Sequence, residues 1–126
     1  MESLELSLLE NDILHAHFKS DVVGTEVDVR QLFEAIRRER YGRKGLLAIT
    51  FGERSYLTNE ARALASSAEA DEILAADAII VRDFGHQLAA NAFVRHNRPG
   101  RPTRLFADMD SAIAWLNEQH HLIEHT

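Results

Sequence analysis

The chain has 126 residues, of which 45% are hydrophobic and 27% are charged, and this length fits one domain with one core. No apolar run approaches the roughly 20 residues of a membrane-spanning helix, and the absence of cysteine excludes disulfides and thiolate metal sites. The net charge of −6 argues against broad attraction to nucleic acid or anionic membranes. We therefore expect a cytoplasmic domain without a signal peptide.

Two segments of alternating polarity lie near the start of the chain. Residues 4–8 and residues 14–18 place an apolar side chain at every second position, and Asn11 and Asp12 between them favour a turn. This spacing predicts a β-hairpin with one apolar face, which leaves His15 and His17 on the opposite face.

A helix start follows at Thr25, because Asp28 three positions later completes a pattern like a capping box. Apolar residues then recur at helical spacing, which predicts a first helix from about Glu26 to Tyr41. Basic side chains occupy its last turns, where cations interact favourably with the negative helix end, and Gly42 provides the stop.

The middle of the chain alternates short apolar runs with a helical pattern. Residues 46–51 read LLAITF and residues 76–81 read ADAIIV, and both runs are typical of strands buried on both faces. Between them, Thr58 begins an alanine-rich helix. The residues on one side of this helix are Ala61, Leu64, Ala65 and Ala68.

The last third of the chain continues this alternation. A third helix is predicted from Gly85 to about His96, and residues 103–106 form a short strand. Asp108 caps a last helix, whose core side carries Ala112, Ile113, Trp115 and Leu116. Residues 120–126 are expected to fray because they are terminal.

The predicted element order is therefore β-β-α-β-α-β-α-β-α over residues 1–126, without a linker or repeat. Strands that alternate with helices need crossover connections, so the later strands should be mostly parallel. The sequence predicts a single α/β domain with a mixed, mostly parallel sheet and helices packed on it.

The stretch RHNRPGRPTRLF, residues 95–106, holds four arginines and no acidic residue. Its prolines and glycine explain the end of the third helix and the turn before the last strand. The side chains of Arg98, Arg101 and Arg104 need a different explanation. We predict that they bind an anionic group or an acidic partner surface.

Two further groups of residues are candidates for binding. Asp83 and His86 follow the strand at residues 76–81, and ligands of open α/β sheets bind beyond such strand ends. His15 and His17 lie two apart on one strand face and would hold a metal only with a further ligand, so their polarity is explained by partial exposure instead. We predict no metal and no cofactor.

Two features of the chain resemble a known family. The element order resembles that of the STAS domain, the fold of bacterial anti-sigma-factor antagonists, which is related in architecture to the lipid-binding CRAL-TRIO domain. Residues 76–116 are also similar to the C-terminal half of small bacterial STAS-like proteins. Those proteins have a strand ending in Phe after a Pro-containing turn, and then a capped helix with the core pattern found here at Ala112, Trp115 and Leu116.

Anti-sigma-factor antagonists carry a phosphorylatable Ser in an Asp-Ser-Ser/Thr-Gly sequence at the start of a helix. The resemblance places Thr58 at that position, with Leu57 in place of the acid and Glu60 in place of the glycine. The signature is thus missing, and Thr58 has two alternative roles, a helix N-cap or a phosphoacceptor.

The motifs of nucleophilic, nucleotide-binding and thiol enzymes are missing, so we predict that the protein is not an enzyme. The resemblance implies a regulatory or protein-interaction module. A homodimer is predicted because both alternating sets of LLAITF are apolar, so both sheet faces need cover. The alternative is a domain that binds a small ligand, either a lipid or an anionic metabolite.

Overall fold

The computed structural model describes residues 1–81, 95 and 99–123 of the chain. The strands and helices in chain order are β1 (Leu4–Leu8), β2 (Ile13–Phe18), β3 (Val23–Gly24), α1 (Glu26–Glu39), β4 (Gly45–Phe51), β5 (Tyr56–Leu57), α2 (Asn59–Ala65), α3 (Ala68–Ile73), β6 (Leu74–Ile80), β7 (Thr103–Phe106) and α4 (Met109–Glu118). Five strands form the main sheet in the order β1-β2-β4-β6-β7. The first pair is antiparallel and the other pairs are parallel, which confirms the predicted α/β class and mixed sheet.

The predicted hairpin is confirmed. Leu4 faces Phe18 and Leu8 faces Leu14 across β1 and β2. The connection is a short 3-10 turn, Glu10–Asp12, in which Asn11 and Asp12 both have a φ of 61°. Asn and Asp tolerate this left-handed conformation better than most residues, which explains their place in the turn.

Helix α1 begins where the capping pattern predicts. The Asp28 carboxylate accepts the backbone N–H of Thr25 at 2.9 Å. The helix ends at Glu39, two residues before the predicted end, because Tyr41 and Gly42 have φ values of 53° and 81°. Gly42 donates its N–H to the Arg37 carbonyl at 2.9 Å and so closes the last turn.

Two features between β2 and β6 differ from the prediction. A two-stranded parallel sheet joins β3 and β5, and each strand is too short to show a period. The helix predicted from Thr58 is split into α2 and α3, because Ser67 caps a new helix. Its hydroxyl accepts the N–H of Ala70 at 3.2 Å and donates to the Leu64 carbonyl at 2.6 Å.

The main sheet separates two apolar cores. On one face, α1, α2 and α3 bury residues that include Leu14 and Leu47. On the other face, α4 buries residues that include Leu46 and Ala48. The chain's own helices therefore supply the cover that motivated the predicted homodimer.

The end of the described chain also joins the second core. His120–Leu122 form a 3-10 turn after α4, and Ile123 is only 4% exposed. Residues 120–123, predicted as the start of a frayed tail, are instead held by this apolar contact, and residues 124–126 lie outside the described residues. The predicted helix from Gly85 to His96 also lies outside them, except for Arg95. Among the helices that the structure describes, none has the length and apolar character to cross a lipid bilayer.

Candidate ligand-binding site

An apolar cavity lies between the main sheet and helices α1 and α2. Its volume is about 100 Å³, and it is partly open to solvent. Among the described residues, its apolar lining includes Phe18, Leu47, Ile49 and Ile79 from the sheet and Val29, Leu32 and Phe33 from α1. Protein interiors are normally close-packed, so a space of this size is available to a small apolar group.

The small side chain at the end of α2 helps to leave this space open. Ala65 lines the cavity, where a larger apolar side chain would extend into it. Tyr56 and Leu57 of the small sheet also line it, and Tyr56 is 56% exposed. The small sheet, which the sequence did not predict, therefore forms part of the cavity wall.

Two buried charges form part of the cavity wall. The side chains of Asp77 and Arg101 are 2% and 4% exposed and make a bidentate ion pair, with Nε–Oδ1 at 3.1 Å and Nη2–Oδ2 at 3.0 Å. Arg101 also donates to Asp71 Oδ1 at 2.9 Å and to the Ala65 carbonyl at 2.8 Å. The Thr103 hydroxyl donates to Asp77 Oδ1 at 2.6 Å. We call these residues the buried ionic network.

This network corrects the prediction that Arg101 binds an external anion. Its guanidinium is already directed at two carboxylates, which leave one net negative charge and would repel a further anion. The reason lies in Asp77, which occupies a strand whose residues are all buried. An unpaired carboxylate there would be costly, and Arg101 neutralises it. Our interpretation of the sequence missed Asp77, although an acid inside the apolar run ADAIIV signals a buried partner.

Gly100 lies against the same network. A Cβ atom at Gly100 would come within 2.4 Å of Asp71 Oδ2, so a side chain would displace that carboxylate. Glycine at this position therefore allows the close approach of the turn to Asp71.

A second arginine lines the cavity in a different setting. Arg62 of α2 is half-buried, and it donates to the Leu57 carbonyl at 2.7 Å and to the side-chain oxygen of Asn59. Both acceptors are neutral. The sequence interpretation did not single out Arg62, because no motif surrounds it and only the fold brings it to the cavity.

The structure does not bring Arg101 and Arg104 together. Arg104 pairs with Ala78 in the sheet register, whereas Thr103 pairs with Asp77, so Arg104 points to the face opposite the buried ionic network. Its guanidinium is exposed and lies 5.6 Å from the centre of the Phe106 ring. Arg98 lies outside the described residues.

The remaining predicted ligand and phosphate residues have different outcomes. Asp83 and His86 lie outside the described residues. Thr58 is the N-cap of α2, and its hydroxyl oxygen accepts the N–H of Ala61 at 3.1 Å. Its role as a phosphoacceptor stays a prediction.

His15 and His17 share one partner on the sheet. The Thr50 hydroxyl lies 2.7 Å from Nε2 of His15 and 2.8 Å from Nδ1 of His17. Burial and, to a smaller extent, repulsion from His17 lower the pKa of His15. A search of the described residues finds no group of three or more His, Cys, Asp or Glu side chains arranged to hold a metal ion.

Comparison with solved structures shows the fold. The chain is similar to an uncharacterised protein of the DUF3478 family from Shewanella loihica PV-4, which has a SpoIIAA-like fold. The TM-score is 0.56 at 19% sequence identity, and the match covers 90% of this chain and 91% of the other. The resemblance to STAS domains is thus confirmed at the level of fold, whereas the relation to CRAL-TRIO domains stays a prediction.

Sequence comparison gives the family. No curated protein matches the chain. A family model described as "Domain of unknown function (DUF7793)" matches residues 7–120. Because this match spans most of the sequence, the chain belongs to the DUF7793 family.

Proposed function

We propose that this domain binds a small, mostly apolar molecule in the cavity and acts through binding rather than catalysis. The observation that carries the proposal is the apolar space of about 100 Å³ between the sheet and α1. An unfilled space costs stability because the side chains around it lose dispersion contacts. A ligand that restores those contacts is stabilised in turn.

The cavity volume limits the ligand. A space of about 100 Å³ suits a short alkyl chain. The rest of a longer molecule would extend toward solvent, because the cavity is partly open. The cavity volume thus narrows the lipid predicted from the sequence to a molecule with a short apolar end.

The pairing of the charged side chains in the cavity wall supports a role in binding rather than in catalysis. Asp77 and Arg101 are held by each other and by Asp71, so their charges serve the fold. We therefore assign these two side chains a structural role rather than that of a base or nucleophile.

Titration with pentan-1-ol tests the proposal, because its chain fits the cavity and it carries no charge. Methyl-detected NMR of the full chain should show shifts at Leu32, Ile49 and Ile79, which line the cavity. Ala65→Leu should fill the space and abolish these shifts. Ala63→Leu is the matched control, because Ala63 is an exposed residue of the same helix.

The result that would overturn the proposal is the absence of saturable shifts in the wild-type protein. Equal shifts in the Ala65→Leu and Ala63→Leu variants would overturn it as well. A thermal melt of both variants shows whether each one is folded.

A second candidate function is a regulatory module that acts through protein contacts, as predicted from the sequence. It is supported by Val23 and Tyr56, which are paired in the small sheet and are 43% and 56% exposed. Exposed apolar side chains that lie together are typical of interaction surfaces. The predicted homodimer is checked by sedimentation, where a mass of 14.2 kDa at micromolar concentration would exclude it.

A further inference from the structure

We propose that the ligand of the cavity is a carboxylic acid with a short apolar chain, and that Arg62 binds its carboxylate. This inference rests on the proposed function of the cavity and adds the chemical class of the ligand. It also assigns to Arg62 the anion-binding role that the sequence had suggested for Arg101.

The first argument for this role is that Arg62 differs from other arginines of the described chain in its partners. Several described arginines have a carboxylate within 4.0 Å, namely Arg30, Arg37, Arg40, Arg54 and Arg101. Arg62 instead donates to a backbone carbonyl and an amide oxygen, and no carboxylate of the described chain lies within that distance of it. Its positive charge at the cavity wall is therefore not neutralised by these neighbours.

The second argument is that the Arg62 guanidinium has hydrogen-bond donors left for a ligand. An arginine has five N–H donors, and the two hydrogen bonds of Arg62 leave donors for a ligand. Those two bonds also hold the side chain against the end of β5, which reduces the entropy lost when it binds. A carboxylate fits the planar fork of donors with two parallel hydrogen bonds.

The charges at the cavity wall carry the third step. At the wall, Asp77 and Arg101 compensate each other in their ion pair, whereas Arg62 adds one positive charge. An anionic end is therefore attracted toward Arg62. One uncompensated cation matches a monocarboxylate better than a phosphate, which carries up to two charges and is usually bound by several donors.

The experiment compares pentanoate with pentan-1-ol, which share a five-carbon chain and differ in charge. The titrations use wild type, Arg62→Met and Arg62→Lys. Arg62→Met keeps most of the apolar stem and removes the charge, and Arg62→Lys keeps the charge. Arg54→Met is the matched control, because Arg54 is exposed and pairs with Asp21.

We expect Arg62→Met to weaken pentanoate binding by about tenfold or more, the range expected for charge-assisted hydrogen bonds. Arg62→Lys should recover part of this loss. The affinity for pentan-1-ol should stay within about twofold in all variants, because the alcohol makes no charged contact. Arg54→Met should leave both affinities unchanged.

The outcomes separate the two proposals. Binding of pentan-1-ol together with pentanoate binding that Arg62→Met does not weaken would overturn the role of Arg62 and leave the cavity proposal intact. Failure of both compounds to bind the wild-type protein would overturn both proposals. An equal loss of pentanoate affinity in Arg54→Met would show a general charge effect and would also overturn the role of Arg62.

Discussion

At the scale of single residues, His15 and His17 compete for one hydroxyl. The Thr50 oxygen has one proton to donate, so at least one of the two neutral imidazoles must donate to it. Burial disfavours the charged form of His15, and a charge on His17 disfavours it further, so the pKa of His15 is lowered. The two half-buried histidines, whose polarity the sequence analysis attributed to partial exposure, thus form a polar contact within the sheet.

This pKa shift predicts that the protein loses stability in mild acid. The unfolded chain takes up the proton of His15 near pH 6.5, at a higher pH than the folded chain. The contribution of His15 is therefore complete above about pH 6.5 and is lost as the pH falls below it. We expect the urea concentration at the unfolding midpoint to be lower at about pH 5.5 than at about pH 7.5. This difference should be smaller in His15→Gln.

His121→Gln is the control for this measurement, because His121 is exposed and its Nδ1 lies 3.0 Å from the Glu118 carbonyl oxygen at the end of α4. It should keep the pH dependence of the wild-type protein. Asp21 and Asp108 do not contribute to this pH dependence. Hydrogen bonds from Arg54 and from the Ser111 N–H lower the pKa of these carboxyl groups, so they titrate below the pH range of the measurement. A pH dependence that is unchanged in His15→Gln would refute the assignment.

At the scale of elements, the sequence predicts the strands and helices that have a regular spacing of apolar residues, and it predicts where helices begin if they have a cap. The hairpin has a period of two, and α1 and α4 have helical periods and begin after Thr25 and Asp108, as predicted. The strands β3 and β5 have two residues each and leave no pattern to detect. The break between α2 and α3 depends on the Ser67 hydroxyl, and serine within an alanine-rich run is equally compatible with one continuous helix.

The candidate site was less predictable than the elements for a related reason. A cavity depends on how well side chains from distant elements fill the space between them, and composition does not report that fit. Arg62 reaches the cavity only because α2 packs beside β5. Arg101 was predicted as a binding residue from local charge density, whereas its role depends on Asp77, 24 positions earlier in the sequence.

At the scale of the whole molecule, the buried ionic network joins parts of the fold that are distant in sequence. Asp77 lies in β6, Arg101 lies two positions before the start of β7, and the Ala65 carbonyl and Asp71 belong to α2 and α3. The network thus connects the sheet to α2 and α3. Because the Asp77 and Arg101 side chains are buried, loss of one leaves the charge of the other without its counter-ion at the sheet.

We therefore expect Arg101→Met to lower the free energy of unfolding by a large amount. The substitution keeps an apolar stem of similar length but leaves the Asp77 carboxylate buried without a cation. Breaking a buried pair in this way costs about 3–5 kcal/mol, against a total of about 5–15 kcal/mol for a typical domain. Arg104→Met is the control, because Arg104 is exposed on the opposite face, and its contact with Phe106 is worth about 1 kcal/mol at most.

Urea unfolding at neutral pH measures both variants, and the double variant Arg101→Met/Asp77→Leu separates the two causes. If the loss comes from the orphaned carboxylate, replacing Asp77 by the apolar residue Leu should recover much of it. If the loss comes from the packing of the Arg101 side chain, the double variant should be no more stable than Arg101→Met. Arg101→Met as stable as Arg104→Met would show that the pair contributes nothing to the fold, and Arg101 would again be a candidate for binding an external anion.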